Sequence, residues 1–158
     1  YVVLIGGTGP LREKLQRKIA ECGLHERVKL LGYLHDEEVP LYFNGCDLFC
    51  LSSVMKTEAF GIVQIEAMSC GKPVVATKIP HSGVSWVNED GVSGLNAEPG
   101  DAVSLANCIR GVLEDKGTYA RFCQGARARY EQLFTQEKMI DKCVDIYERV
   151  MGEGEGCG

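Results

Sequence analysis

The chain has 158 residues, of which 45% are hydrophobic and 25% are charged, and its formal net charge is −5. This length is enough for one domain with a substantial core. The acidic balance and the absence of Lys or Arg runs exclude nucleic acid as a partner, because a phosphate-binding surface needs a basic face. No apolar run approaches the roughly 18 residues of a membrane-spanning helix.

Five short apolar runs predict β-strands. Each is bounded by turn or helix signals, and none alternates apolar with polar residues. Strands of this kind are typical of a parallel sheet with helices on both faces. The five runs are residues 1–6, 28–31, 47–52, 73–76 and 94–97.

Helices are predicted between these strands and after the last one. Pro10 suits the first position of a helix, Asp36 and Asp101 are suited to capping helix N-termini, and Gly71 closes a helix. The two final helices carry apolar stripes that we interpret as core, including Ile140 and Tyr147. The predicted helices are residues 10–22, 37–44, 61–70, 83–87, 101–113, 118–134 and 136–150.

The alternation of strands and helices predicts an α/β fold, a doubly wound, Rossmann-like parallel sheet with helices on both faces. We expect residues 1–151 to form one domain and residues 152–158, which end in GEGCG, to be a flexible tail. Because Tyr1 is not an initiator methionine and a strand begins at once, we expect the chain to be part of a longer protein.

The eight cysteines contain no C-x-x-C pair, which argues against a zinc site or a disulfide framework. Cys108 lies at helical spacing from Leu105, Ile109 and Val112. We therefore interpret the cysteines as reduced, apolar side chains.

Glu58 and Glu66 stand eight positions apart in the segment TEAFGIVQIEAMSCGKPVVAT. The helix predicted there begins where doubly wound sheets bind ligands, and its first N–H groups can hold an anion. Gly61 lets a ligand approach the backbone. A carboxylate repels phosphate, so we expect Glu58 to face neutral hydroxyl groups. The apolar neighbours of Glu66 predict a largely buried helix, in which Glu66 needs a hydrogen-bonding partner.

These residues lead to a resemblance that covers nearly the whole chain. The sequence resembles the C-terminal, donor-binding domain of retaining glycosyltransferases of the GT-B fold, in the group 1 family of bacterial polysaccharide and lipopolysaccharide enzymes. The resemblance implies the C-terminal half of that fold, without its first βα unit and without the N-terminal acceptor domain. The motifs that carry it are LIGGTGP, VKLLGYL, DLFCLSS, TEAFGIVQIEAMSCGKPVVAT and SGVSWVNEDGVSGLNAEPGD.

The resemblance also implies a set of site residues. Glu58 is the implied catalytic residue, which hydrogen-bonds the hydroxyl groups of the donor hexose, and Glu66 accepts from the ribose hydroxyls. The other implied donor-binding residues are Gly7, then Gly32, Tyr33 and Leu34 around the base, and Phe60, Gly61, Ile62 and Val63 at the diphosphate and sugar.

The implied reaction transfers a hexose from a nucleotide sugar to a saccharide or lipid-linked acceptor, with retained configuration and without metal or other cofactor. Its Arg and Lys pair belongs to the missing βα unit, so we expect this fragment to be inactive. The implied location is cytoplasmic, with membrane association of the whole protein left open. His81 stands where relatives often carry Gly, and we interpret it as a solvated loop imidazole.

Two other functions fit the same pattern. One is a nucleotide-sugar epimerase of the same two-domain architecture, and the other is a non-catalytic nucleotide-sugar-binding module. NAD binding is disfavoured, because GGTGP lacks the third glycine of the dinucleotide motif and no acid ends the next strand. We expect Trp86 to pack against the protein, and Tyr33 either to pack or to line the base pocket.

Overall fold

The computed structural model describes residues 1–154 and divides into two compact units, Tyr1–Tyr42 and a second that begins at Phe43. Within the described residues, five strands alternate with helices, and every strand pair is parallel. The predicted α/β class is confirmed. The strands are divided between a sheet of two and a sheet of three, which the sequence does not predict.

The first unit contains β1 (Val3–Gly6), α1 (Arg12–Glu21) and β2 (Val28–Gly32), and β1 pairs with β2. The prediction that Pro10 begins the helix is wrong. A turn closed by a hydrogen bond from the Arg12 N–H to the Gly9 carbonyl (3.2 Å) comes first, so α1 starts at Arg12.

The helix α2 (Val39–Gly45) follows β2 and crosses the boundary between the two units along the chain. Asp36 does not cap it, because residues 36–38 form a turn before the helix. The carboxylate of Glu38 instead accepts from the His35 N–H (2.9 Å), and the Glu38 N–H donates back to the His35 carbonyl (2.8 Å).

The second unit contains β3 (Phe49–Leu51), α3 (Ile62–Ser69), β4 (Val74–Thr77), α4 (Val84–Val87) and β5 (Gly94–Ala97). Its sheet has the order β3–β4–β5. All four residues of the central strand β4 are buried, as expected for an apolar strand covered on both faces. The strands β4 and β5 approach closely at Gly94, where a Cβ atom would lie 1.7 Å from the Val74 carbonyl oxygen.

Two helices, α5 (Ala102–Leu113) and α6 (Lys116–Leu133), follow the sheet. The carboxylate of Asp101 accepts from the N–H groups of Val103 (2.9 Å) and Ser104 (3.0 Å), which confirms the predicted cap. Cys108 packs, with Leu105 and Ile109 among others, against the buried cluster of Val75, Val112 and Phe122, so its predicted place in the core is confirmed.

The last helix, α7 (Gln136–Gly154), extends beyond the predicted end at Val150, and residues 155–158 of the expected tail lie outside the described residues. The prediction that its apolar stripe is core is wrong, because Ile140, Val144 and Tyr147 are exposed. Within the described part of the chain, none of the helices combines the length and hydropathy needed to cross a membrane.

Candidate functional site

The N-terminus of α3, just beyond the carboxyl end of β3, is built around Gly61. Gly61 has φ 73°, in the left-handed region, and no described side chain caps the helix there. A Cβ atom on Gly61 would lie 2.6 Å from Gln64 Nε2 and 2.8 Å from Leu51 Cδ2. Glycine is therefore required for both conformation and space. The first N–H groups of α3 have no partner within the helix.

Gln64, which the sequence analysis missed, ties this helix start to α4. It is fully buried, and its Nε2 donates to the carbonyl oxygens of Phe60 (3.2 Å) and Val84 (3.4 Å). Its Oε1 has no hydrogen-bond partner among the described residues. A glutamine among the apolar residues of a predicted buried helix was the signal that could have revealed it.

Glu58 is half-buried and is held at three points. Its N–H donates to the Met55 carbonyl (3.0 Å), and its own carbonyl accepts from Ser82 Oγ (2.5 Å). One carboxylate oxygen, Oε2, accepts from Ser53 Oγ (3.4 Å). The Ser53 carbonyl in turn accepts from Thr77 Oγ1, so residues just beyond β3 and at the end of β4 meet here.

Glu66 lies on α3 but is exposed, and the prediction that it sits in a largely buried helix is wrong. α3 is only eight residues long and buries one face, formed by Gln64, Ala67 and Met68, while Ile62 is 65% exposed. No side chain among the described residues hydrogen-bonds the carboxylate of Glu66. The nearest bond is from Ser69 Oγ to the Glu66 main-chain carbonyl (2.7 Å).

The turn before α4 packs on the segment that leads into α3. The Gly83 N–H donates to the Ala59 carbonyl (2.7 Å), and a Cβ atom on Gly83 would lie 3.0 Å from the Phe60 ring. His81 in this turn has φ 60°, the one positive φ of a non-glycine residue in the described part of the chain. The residue is exposed, as expected for a solvated loop imidazole.

In the first unit, Gly7, Gly32 and Leu34 gather at the carboxyl ends of β1 and β2. The Gly7 N–H donates to the Gly32 carbonyl (2.6 Å), and a Cβ atom on Gly6 would lie 2.8 Å from Leu34 Cδ1. A cavity of about 300 Å³ is lined mainly by the loop after β1, from Gly6 to Leu11.

Tyr33 does not pack into the protein, because it is 66% exposed. Its ring makes an edge contact with His35, at 5.2 Å between centroids. The expectation that Trp86 packs is also wrong in part, since the residue is 53% exposed although one side of its ring contacts Phe60 and Phe134.

All seven described cysteines are free. Their interpretation as apolar filler is wrong for Cys22 and Cys143, which are exposed. Burial raises the pKa of the Cys50 thiol to about 11, so this side chain is a neutral thiol at physiological pH. Within residues 1–154, no group of three or more His, Cys, Asp or Glu side chains is placed to hold a metal ion.

This architecture places the chain among α/β proteins whose loops at the carboxyl edge of a parallel sheet form ligand sites. A sequence model of the family described as "Glycosyl transferases group 1" matches residues 1–129. The chain therefore belongs to the glycosyl transferases group 1 family.

Three similar proteins illustrate the match. The O-antigen chain mannosyltransferase C of Escherichia coli is 32% identical over 150 residues, which cover 95% of this chain and 40% of the relative. HepE of Anabaena, in its crystal structure with UDP-glucose, has a TM-score of 0.81 and 32% identity over 94% of this chain and 41% of its own.

The third is the C-terminal domain of LpcC, a group 1 family protein of Francisella tularensis. It has a TM-score of 0.71 and 20% identity, covers 80% of this chain and 63% of its own, and shows the shared fold. The chain thus has the fold of that C-terminal domain. It spans about 40% of the length of the first two proteins.

Proposed function

We propose that this chain is the donor-binding part of a retaining hexosyltransferase, which transfers a hexose from a nucleoside diphosphate sugar to a saccharide or lipid-linked acceptor. The similar HepE structure holds UDP-glucose, and a curated relative is a mannosyltransferase, which supports the substrate class. The observation that carries the proposal is the N-terminus of α3, uncapped by any described side chain, with the carboxylate of Glu58 nearby in the chain.

The diphosphate binds at the start of α3. The amides of Phe60, Gly61, Ile62 and Val63 precede or open this helix, where N–H groups lack helical partners and the helix dipole is positive. Fixed donors of this kind offset the negative charge that develops on the leaving diphosphate. Glycine at the cap position allows the left-handed backbone conformation from which the helix begins.

Glu58 is the catalytic residue and binds hydroxyl groups of the donor hexose. Ser53 donates to Oε2, which fixes the carboxylate, while Oε1 has no protein donor among the described residues. A carboxylate beside the sugar suits neutral hydroxyl donors and disfavours a second anion. Glu66 is exposed, which leaves both of its carboxylate oxygens available to the ribose hydroxyls.

The remaining assignments follow from the sequence resemblance. Gly7 contacts the donor, and Gly32, Tyr33 and Leu34 frame the base. Residues 1–151 act as one donor-binding domain of a cytoplasmic enzyme, and a separate N-terminal domain binds the acceptor. The reaction needs no metal, and the isolated chain binds nucleotide without transferring sugar.

A phosphate series tests the anion site directly. Binding of UDP, UMP and uridine to this chain is measured by calorimetry, together with GDP and ADP to identify the base. Among the three uridine compounds, we expect UDP to bind most tightly, at about millimolar Kd. Affinity should fall as each phosphate is removed. Equal binding of uridine and UDP would contradict a diphosphate site.

The reaction class is tested in a full-length enzyme that contains this chain. Incubation with donor and acceptor should yield a glycoside with retained anomeric configuration. An epimer of the donor formed without acceptor would instead identify a nucleotide-sugar epimerase.

A further inference from the structure

Arg129, near the C-terminal end of α6, is held in three directions by hydrogen bonds. Its side chain is 11% exposed. Nε donates to the Val87 carbonyl (2.8 Å) and Nη2 to the Trp86 carbonyl, so the guanidinium grips the last two residues of α4. Nη1 pairs with Glu89 Oε2. The planar guanidinium directs its N–H groups to three separate acceptors. Lysine could not replace it, because its donors all lie on one nitrogen.

The same guanidinium lies against an aromatic cluster formed by Phe60, Trp86 and Phe134. Its central carbon is 5.6 Å from the Trp86 ring centroid and 5.8 Å from that of Phe134, within cation–π range. The Phe60 ring is 5.9 Å from Trp86 and 6.4 Å from Phe134. Arg129 is therefore linked through two rings to the residue just before Gly61.

A second connection runs through the main chain. Three hydrogen bonds join the turn before α4 to the segment before Gly61. The Gly83 N–H donates to the Ala59 carbonyl, and Ser82 Oγ contacts the carbonyls of Glu58 and Ala59. The short helix α4 is thus fastened at its beginning to the start of α3 and at its end to Arg129.

From these contacts we propose that Arg129 is a positioning residue for the segment from Glu58 to Gly61. By holding the end of α4 and the aromatic cluster, it fixes the Phe60 ring and the direction of the Gly61 amide. Burying a guanidinium is costly, and apolar residues could join α6 to α4 without that cost. The hydrogen bonds from Arg129 to the carbonyls of Trp86 and Val87 are directional, so they hold α4 in one orientation. The inference rests on the proposed function for its effect on nucleotide binding.

Arg127 offers a matched control on the same helix. It also makes an ion pair, to Glu131 (2.6 Å), a bond to a main-chain carbonyl, that of Ser69 (2.5 Å), and a ring contact, with Tyr130 (5.8 Å). Its carbonyl partner ends α3, whereas Arg129 acts near the beginning. A loosening of α6 as a whole would shift the amide signals near Ser69 as well as those of Phe60 and Gly61.

The experiment compares Arg129→Met with Arg127→Met in the ¹⁵N-labelled chain without nucleotide. We expect Arg129→Met to shift the amide signals of Phe60 and Gly61, and Arg127→Met to shift only those near Ser69. Trp86, the one tryptophan of the chain, reports the same change optically. Its emission should move to longer wavelength in Arg129→Met, because the released indole becomes more solvated, and should stay unchanged in Arg127→Met.

Nucleotide binding gives the functional readout. UDP should bind Arg129→Met about fivefold more weakly than wild type, within the range seen for residues that act through packed intermediaries, with less than about twofold change for Arg127→Met. Unchanged Phe60 and Gly61 signals in Arg129→Met, or equal weakening of UDP binding in both variants, would overturn the proposal.

A second variant covers the case in which Arg129→Met does not fold. Phe134→Leu leaves the hydrogen bonds of Arg129 in place and removes one ring, so it should shift the Phe60 and Gly61 amides less than Arg129→Met but above noise. No shift at either amide would contradict the route through the rings. If the wild-type chain binds no UDP, the proposed function fails, and the amide comparison in the free protein still decides the role of Arg129.

Discussion

Both ends of α3 carry a glycine with positive φ, but they differ in packing around the glycine and in how the free main-chain groups of the helix are paired. At the C-terminal end, Gly71 donates to the Met68 carbonyl (2.9 Å) and Lys72 to the Ala67 carbonyl (3.1 Å), which closes the helix. No described atom lies within 4 Å of a Cβ placed on Gly71. At the N-terminal end, Gly61 is tightly enclosed, yet no described side chain caps the helix.

At the N-terminus of α5, by contrast, a side chain caps the helix. Asp101 accepts from two N–H groups there, and Asp115 does the same for one at α6. The open end of α3 differs from these two capped helices and resembles the starts of α1 and α4, which also lack a side-chain cap. We infer that its donors are reserved for a ligand, while its C-terminal end is structural.

The largest expected difference between the two ends concerns stability. Gly61→Ala places a methyl group within 3 Å of Gln64 and Leu51 in a left-handed conformation, and we expect a loss of about 3 kcal/mol from overpacking and backbone strain. Gly71→Ala should cost about 1 kcal/mol, from conformation alone. Urea unfolding of both variants measures the difference. Equal losses of unfolding free energy would contradict a packing role for Gly61.

The next effect concerns turnover in the full-length enzyme. Glu58→Ala removes the acceptor for sugar hydroxyls, and loss of hydrogen bonds to a charged group should lower kcat/KM about 100-fold. Glu148→Ala, on the exposed surface of α7, is a matched control that should leave the kinetics unchanged. Wild-type kinetics in Glu58→Ala would exclude this residue from the site.

Glu66 should matter less, because it contacts only the ribose in this account. Glu66→Ala should weaken donor binding about tenfold and leave kcat nearly unchanged. Steady-state kinetics with varied nucleotide sugar separate the two parameters. A fall in kcat with constant KM would assign Glu66 a different role.

A smaller effect sharpens the contrast with capped helices. Asp101→Ala should destabilise the chain by about 1 kcal/mol through loss of the α5 cap, whereas Asp36→Ala, which removes no observed cap, should change little. Thermal unfolding of the two variants tests this pair. Similar destabilisation by both would mean that Asp36 has a structural role that these contacts do not reveal.

The smallest effect is a pH dependence at the α6 cap. The hydrogen bond from the Thr118 N–H lowers the pKa of Asp115 below its ordinary value. Its stabilisation is therefore complete above the unfolded-state pKa and is lost as pH falls through the lower folded-state pKa. Carboxyl NMR titration should show a depressed midpoint for Asp115 in wild type. An unshifted midpoint would contradict the hydrogen bond between Asp115 and the Thr118 N–H.

The sequence predicted the elements well because apolar runs, glycines and capping aspartates act locally. Asp101 and the five strands are examples. It failed where the outcome depends on which face of a helix finds a partner. The helix that carries Glu66 is predicted to be largely buried, but α3 buries only one face, and the apolar stripe of α7 is exposed. A periodic pattern gives the direction of an apolar face and does not give its partner.

The site was predictable in part for the same reason. The segment around Glu58 and Gly61 has a recognisable motif, so its position could be inferred, although its ligand contacts stay a prediction. The contributions of Ser82 and Arg129 could not be inferred, because each contacts residues distant in sequence. Their partners on α4 and in the segment before Gly61 become neighbours only in the folded chain.

The most direct test of the open helix start is a residue-resolved titration of the ¹⁵N-labelled chain with UDP. We expect progressive, saturable shifts at the amides of Gly61, Ile62 and Val63, with little change at Gly71 at the opposite end of α3. Unmoved signals at the three N-terminal amides under about millimolar nucleotide, while other regions respond, would contradict a diphosphate site at the start of α3.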